Sequence, residues 1–395
     1  MAVETVPYQM IEDEAALAQF RKENEGISWL CFDTEFVGEK RFTTTLCLIQ
    51  IATENGYYLV DTLQVKNIQP FLDLITDERI LKVAHAGEND YRLLNTWFGI
   101  VPKNTFDTQI AAAFVGYKYP VSFRKLVESE LNIRVSKGYT VTDWERRPMQ
   151  KKQLRYALSD VLHLYDLWQS LKTKLERLGR YHWAIEESRE LEKPEWYEQD
   201  PNKEALNSNI IKNLSYREQL FLLRFYAWRT EEARRKNYSK EMVLSSKLIS
   251  QIVRAVSSGK EALVHNRRIP DQLIRRYGDT FVELFNRPIT EEEKAVLAQI
   301  PKDKSDNPRQ DIIMEMLHLL VRYKCLEENI SHHIVMPRTF LKRMKADKDY
   351  FEDSMKNGWR RAFLGEEITN WLANRTQLEL DFGKGRFEIK MRPKD

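Results

Sequence analysis

Three apolar runs lie close together near the N-terminus: Trp29-Leu30-Cys31-Phe32-Asp33-Thr34-Glu35-Phe36, Thr45-Leu46-Cys47-Leu48-Ile49-Gln50-Ile51 and Tyr57-Tyr58-Leu59-Val60. They are short, and bounded by turn residues, so they read as strands. Asn55-Gly56 between the last two accepts the positive φ angles of a type I′ turn and predicts a hairpin. Elements then alternate, with helices predicted over 68–75 and 88–97 around a strand at 80–84, followed by helices over 108–115 and 123–131. Such alternation implies an α/β domain with a mixed sheet and flanking helices. Leu154, Leu158, Val161, Tyr165, Trp168, Leu171 and Leu175 keep helical spacing through roughly six turns, and Pro148 sits where that helix can begin. The first domain should close with it, near residue 186.

Residues 187–204 are charged and carry Pro194 and Pro201, which marks a linker or wrapping segment. Beyond them the pattern is helical throughout. One block spans 205–287 and contains an apolar helix at 220–228; a second spans 288–375 and contains another at 314–326; a tail covers 376–395. The blocks carry a repeat signal: Glu231-Glu232, Val243-Leu244 and Leu248 match Glu327-Glu328, Val335-Met336 and Phe340 after a shorter connection.

The length of 395 residues agrees with several domains. The first twenty residues lack a basic start and an apolar core, and no run approaches the ~18 apolar residues of a membrane span, so a cytoplasmic protein with no membrane partner is expected. Three cysteines without C-x-x-C spacing argue against disulfides and zinc, and a net charge of +3 identifies no partner.

Chemistry enters through carboxylates. Strand side chains alternate, so Asp33 and Glu35 project from one face, and paired oxygen ligands suit Mg²⁺ or Mn²⁺. A lone D-x-E is more often a solvated strand end. Asp90, in His85-Ala86-Gly87-Glu88-Asn89-Asp90, falls where a strand gives way to a helix; alone it would read as a first-turn charge stabilising the helix dipole. Tyr156 and Asp160, spaced i and i+4, present a phenol and a carboxylate on one helix face. The same Y-x-x-x-D string recurs at Tyr57/Asp61 and Tyr139/Asp143, where the surrounding pattern is not helical.

Taken in order, these pieces resemble the DEDD exonucleases, in the branch with tyrosine in the third motif. Asp33-Thr34-Glu35-Phe36, Cys47-Leu48-Ile49-Gln50-Ile51-Ala52, His85-Ala86-Gly87, Phe106-Asp107-Thr108-Gln109, Asp143-Trp144 and Arg147-Pro148 look like the bacterial ribonuclease D family. Trp228-Arg229 with Glu232-Ala233, and Gly358-Trp359-Arg360, are similar to its HRDC domains. Val121-Ser122-Phe123 and Ser159 depart from the family pattern without removing a carboxylate. The resemblance implies a ribonuclease H-like exonuclease domain followed by two all-α HRDC domains. It implies a 3′→5′ exoribonuclease that releases nucleoside 5′-monophosphates, with tRNA precursors and other structured RNAs as substrates; a monomer is expected. Asp33, Glu35, Asp90 and Asp160 would hold two divalent cations, and Tyr156 would orient the attacking water. Phe36 and His85 are candidate contacts to the terminal nucleotide. A DNA exonuclease and a non-catalytic nucleic-acid scaffold are the alternatives.

Overall fold

The computed structural model describes residues 6–135, 142–198, 200–300, 308–346, 353–374, 378–383 and 386–391. They group into two compact units. The first comprises the described residues of 1–35, 46–197 and 307–395, and the second those of 36–45 and 198–306.

The first unit is built on a six-stranded sheet. Its elements begin with β1 (Gln9–Ile11), α1 (Glu14–Glu23), β2 (Trp29–Val37), β3 (Thr45–Thr53), β4 (Gly56–Val60), α2 (Gln69–Thr76), β5 (Leu81–Ala84), α3 (Glu88–Phe98) and β6 (Thr105–Asp107). The strand order is β1-β4-β3-β2-β5-β6. β2, β5 and β6 run parallel, as do β1 and β4, whereas β3 and β4 are antiparallel, so the sheet is mixed. The β3–β4 hairpin forms where Asn55-Gly56 predicts it, but one residue earlier. Thr53 pairs with Gly56, so Glu54 and Asn55 make the turn, and neither has a positive φ. The turn is therefore not type I′. β1 and α1 add to the predicted elements, and Asp13 caps α1 by accepting from Ala16 N.

Five helices follow: α4 (Thr108–Ala113), α5 (Phe123–Leu131), α6 (Lys151–Leu162), α7 (Leu164–Arg177) and α8 (Tyr181–Ser188). The long helix predicted over 154–175 is two helices. It breaks at His163, whose ψ of 0° departs from the helical value. No proline or glycine marks that break. Nor does Pro148 open the helix, which begins at Lys151 behind a Gln150–Gln153 capping box. Each sheet face has its own core: Leu30, Phe32, Ile49 and Ile51 face α1, α2 and α3, and Cys31 and Val83 face α4 to α8. All three cysteines are buried thiols. The 187–204 segment wraps: Leu191 and Tyr197 are buried in the first of these cores.

One ion pair fixes the loop before α6. Asp61, fully buried at the end of β4, accepts from Arg147 Nε at 2.6 Å and Nη2 at 2.8 Å, and the same guanidinium donates to the carbonyls of Trp144 and Cys47. Breaking a buried pair strands a charge, so Arg147→Ala is expected to destabilise the protein by about 3 kcal/mol. A urea melt should show a lower midpoint at unchanged slope, and an unchanged midpoint would refute this role.

In the second unit, α9 (Lys203–Leu206), α10 (Tyr216–Lys236), α11 (Lys240–Val243), α12 (Ile249–Ala255), α13 (Lys260–His265), α14 (Asp271–Asn286) and α15 (Glu291–Ala298) enclose a core that includes Phe221, Phe225, Val253 and Phe281. The unit continues past residue 287 because buried Arg224 pairs with Glu293 on α15 at 2.7 Å. The first unit resumes with α16 (Pro308–Glu327), α17 (His332–Val335), α18 (Arg338–Ala346), α19 (Asp353–Lys356) and α20 (Gly358–Asn374). It ends in an antiparallel hairpin, β7 (Leu378–Gly383) with β8 (Arg386–Met391), where the sequence had read only a tail.

The repeat has a structural basis, with a corrected register. Asn237 and Asn329 both turn left-handed after a long helix, at φ 51° and 52°. The next residue bonds back to Ala233 and to Cys325 respectively, and Ser239 and Ser331 then open short helices. The connections are equal in length, so Glu231-Glu232 is not the counterpart of Glu327-Glu328. No helix of the described residues is long and apolar enough to cross a membrane.

Candidate active site

Asp33 and Glu35 lie in the C-terminal half of β2. The alternation that buries Cys31 against α6 and α7 turns both carboxylates toward the same face. α6 brings Asp160 over that face, and carboxylate oxygens of Asp33, Glu35 and Asp160 lie within 4.8 Å of one another. The sequence-predicted trio therefore converges, and all three residues remain partly reached by water.

Asp90 arrives from the opposite layer. α3 packs beside Phe32, whose ring lies 5.3 Å from Tyr91, and Asp90 is buried there, accepting a hydrogen bond from the Thr34 hydroxyl. It stands outside the trio, although its charge acts on Glu35 and that of Asp33 acts on it. Thr34 escaped sequence reasoning because it reads as the strand's other face.

A second residue not singled out is Asp107. Its carboxylate accepts from the backbone N–H of Ala86, Gly87, Gln109 and Ile110 at 3.0, 2.8, 2.8 and 3.3 Å. It caps α4 and clamps the turn that launches α3, which fixes where Asp90 enters. Gly87 is required in that turn, since a Cβ there would lie 2.8 Å from the Ala84 side chain. Its sequence signals are its place in the family-like string Phe106-Asp107-Thr108-Gln109 and its position as a capping aspartate before an alanine-rich helix.

The electrostatics of the cluster are one-sided. Burial, then the charge of Asp160, pushes Asp33 up to about 8; burial, then Asp33, Asp160 and Asp90, pushes Glu35 up to about 9. Burial pushes Asp160 up to about 7 despite a hydrogen bond from Tyr156. No lysine or arginine appears among the groups that set these values. Asp160 Oδ2 is also buried without a hydrogen-bond partner. Three hard oxygen donors, uncompensated and aimed together, fit a divalent cation. Burial raises the Tyr156 phenol as well, followed by the charges of Asp160, Glu35 and Asp33, so it remains a hydrogen-bond donor. Its ring sits 6.2 Å from that of buried Trp144, in the loop that Arg147 holds.

The two candidate nucleotide contacts differ. His85 has both ring nitrogens engaged, Nε2 with the Val121 carbonyl and Nδ1 with the Thr108 hydroxyl, each at 3.0 Å. Burial lowers its pKa, and the Val121 carbonyl can only accept, so the neutral ring donates through Nε2, while the Thr108 hydroxyl shares its one proton between Nδ1 and the Ala84 carbonyl, also 3.0 Å away. Only its carbon edge can meet a ligand. Phe36 follows Glu35 and is 41% exposed. Three short basic runs, Lys40-Arg41, Arg146-Arg147 and Arg234-Arg235-Lys236, are candidate phosphate grips, and in them Arg147, Arg234, Arg235 and Lys236 are tied to carboxylates. The decoy aspartate Asp61 is Arg147's partner; Tyr139 of the other decoy lies outside the described residues.

Comparison with known proteins follows the same division. A 3′-5′ exonuclease family model matches residues 8–176, and an HRDC domain model matches residues 221–284. Ribonuclease D of Nitrobacter hamburgensis is 31% identical over 358 residues, 90% of this chain and 92% of that protein. Ribonuclease D of Bartonella henselae is 29% identical across 95% of this chain and 92% of its own length. The crystal structure of Escherichia coli RNase D, described as an exoribonuclease involved in structured RNA processing, superposes with a TM-score of 0.80 at 24% identity, covering 94% of this chain and all of that one. That match concerns the fold. With a relative above 30% identity aligned over nearly its whole length, and an acidic trio at the expected strand and helix, the chain belongs to the ribonuclease D family.

Proposed function

We propose that this 3′→5′ exoribonuclease removes nucleoside 5′-monophosphates one at a time from the 3′ ends of tRNA precursors and other structured RNAs in the cytoplasm, as a monomer using two divalent cations. The observation that carries the reading is the convergence of Asp33, Glu35 and Asp160 with no cation among the described residues to balance them.

Asp33, Glu35 and Asp160 would hold one ion, and Asp33 with Asp90 would serve the second. When bound, such a pair supplies charge stabilisation to the attacking and leaving oxygens of an in-line displacement at phosphorus. The protein's own groups do the rest. Thr34 fixes the Asp90 carboxylate, and Asp107 fixes the turn from which its helix starts. Tyr156, kept protonated by its surroundings, donates to Asp160 and would orient water rather than deprotonate it. We assign two HRDC-like domains that grip RNA, the first reaching through α15 and the second beginning at α16, with 1–186 as the exonuclease domain. Phe36 and the carbon edge of His85 are assigned to the terminal nucleotide.

The test uses a 3′-labelled hairpin RNA with a single-stranded tail, and its DNA counterpart, with Mg²⁺ or Mn²⁺ and with EDTA. Stepwise release of labelled 5′-mononucleotides from RNA, abolished by EDTA, is expected. Label retained on RNA in both metals would reject the reading, and preferential loss from DNA would convert it to a DNA exonuclease. Tyr156→Phe should lower turnover roughly thirtyfold, the value of one hydrogen bond to a charged group at about 2 kcal/mol.

A further inference from the structure

The first unit contains a second concentration of titratable groups, away from the carboxylates. His318 on α16 and His332 on α17 have ring centroids 5.9 Å apart, and His332 and His333 are 4.0 Å apart. The charges of Arg322 and Arg338 act on all three imidazoles, and that of Lys118 acts on His333. Lys118, Arg322 and Arg338 are exposed, and among the described residues no carboxylate bonds to any of them. Burial first, and then these neighbours, lowers all three histidines, His332 to about 4. The neutral rings offer N–H donors beside three positive charges.

The patch is assembled by tertiary contacts. The Ser331 hydroxyl accepts from Tyr119 N at 3.0 Å, and Ser331 N donates to the Ala113 carbonyl at 2.9 Å, which pins the 116–119 loop to the start of α17. Arg180 bonds at once to the carbonyls of Phe114 and Glu328. Lys118, Arg322 and Arg338 thus extend from backbone that these bonds hold together, with no carboxylate partner among the described residues. His333 also lines a cavity of about 530 Å³ whose far wall includes Ala86 and Asp107, at the turn that leads into Asp90. Of the patch only His333 borders that cavity, whose lining also carries Glu88, Glu187 and Glu190, so the cations themselves lie outside it.

We propose that Lys118, Arg322 and Arg338, with His318, His332 and His333 beside them, form an anchoring surface for the phosphate backbone of the RNA segment upstream of the 3′ end being cleaved. The surface rests on the exoribonuclease reading for its ligand, but it is separable by experiment. Each bound phosphate releases counterions, so affinity depends on salt in proportion to the number of contacts. The three cations should therefore contribute about 2 to the slope of log affinity against log salt for a single strand.

The test is fluorescence anisotropy of a labelled 15-nucleotide RNA in EDTA, which prevents turnover. The variant Lys118→Gln/Arg322→Gln/Arg338→Gln is expected to bind at least tenfold more weakly, with the salt slope reduced by about 2. Arg322→Lys/Arg338→Lys should retain most of the affinity, because charge rather than fork geometry is required. Wild-type affinity and slope in the glutamine variant would overturn the surface even if the enzyme degrades RNA. Loss of binding in that variant, with a wild type that leaves RNA uncut in metal, would support the surface and reject the nuclease reading instead.

Discussion

Asp160→Asn is expected to abolish nucleotide release to within about a thousandth of the wild-type rate while making the metal-free protein more stable. The loss follows from removing one of three converging carboxylates, and about 4 kcal/mol of transition-state stabilisation corresponds to three orders of magnitude. The gain follows from the same geometry. Asp160 raises both Asp33 and Glu35 by its charge, and its own Oδ2 is buried without a partner. An amide of the same shape ends the repulsion and can still accept from Tyr156. Opposite signs for activity and stability are the signature of a site whose charge is kept for function. Both are measurable on one preparation, by mononucleotide release in Mn²⁺ and by thermal melting in EDTA. An active variant, or one that melts well below wild type in EDTA at pH 8, would remove Asp160 from this role.

Stability of the metal-free protein should fall as pH rises from about 5 to 9, and divalent cations should reverse the trend. In the folded state Asp33, Glu35 and Asp160 hold protons up to about 8, 9 and 7, whereas in the unfolded chain carboxyls lose them near 4. The native state therefore binds more protons across this window, and linkage makes stability decrease with pH, by up to about 1.4 kcal/mol per pH unit for each proton retained. Water reaches all three residues, so the measured slope should lie below the full sum. A divalent cation replaces those protons, so its stabilising shift should be small at pH 5 and largest at pH 8 to 9. Comparison with Glu35→Gln isolates the site from other titrating groups: the variant should lose part of the pH slope and most of the metal shift. A Glu35→Gln protein with the wild-type slope and metal response would show that the carboxylates are not coupled in this way.

Much of the site was legible because its rules are local. The period of two on β2 puts Asp33 and Glu35 on one face whatever the strand packs against, and the i, i+4 spacing on α6 does the same for Tyr156 and Asp160. The alternation of strands and helices likewise led to a mixed sheet. Where position depended on how a segment packs, local pattern misled. The hairpin turn shifted one residue from Asn55-Gly56, and the helix over 154–175 broke at His163.

Asp61 and Asp160 mark the division most clearly. Each ends a Y-x-x-x-D string, and the flanking pattern told them apart only as strand and helix. Tertiary structure decided their chemistry, giving Asp61 an arginine 86 residues away and Asp160 two further carboxylates. It also turned Asp90 to Thr34 across the sheet and gathered Lys118 with histidines some two hundred residues later. Sequence determined which faces carry charge, since side-chain direction follows from backbone period. Only the fold decided which of those charges are balanced, because the partners lie far apart along the chain and the strength of each interaction depends on burial.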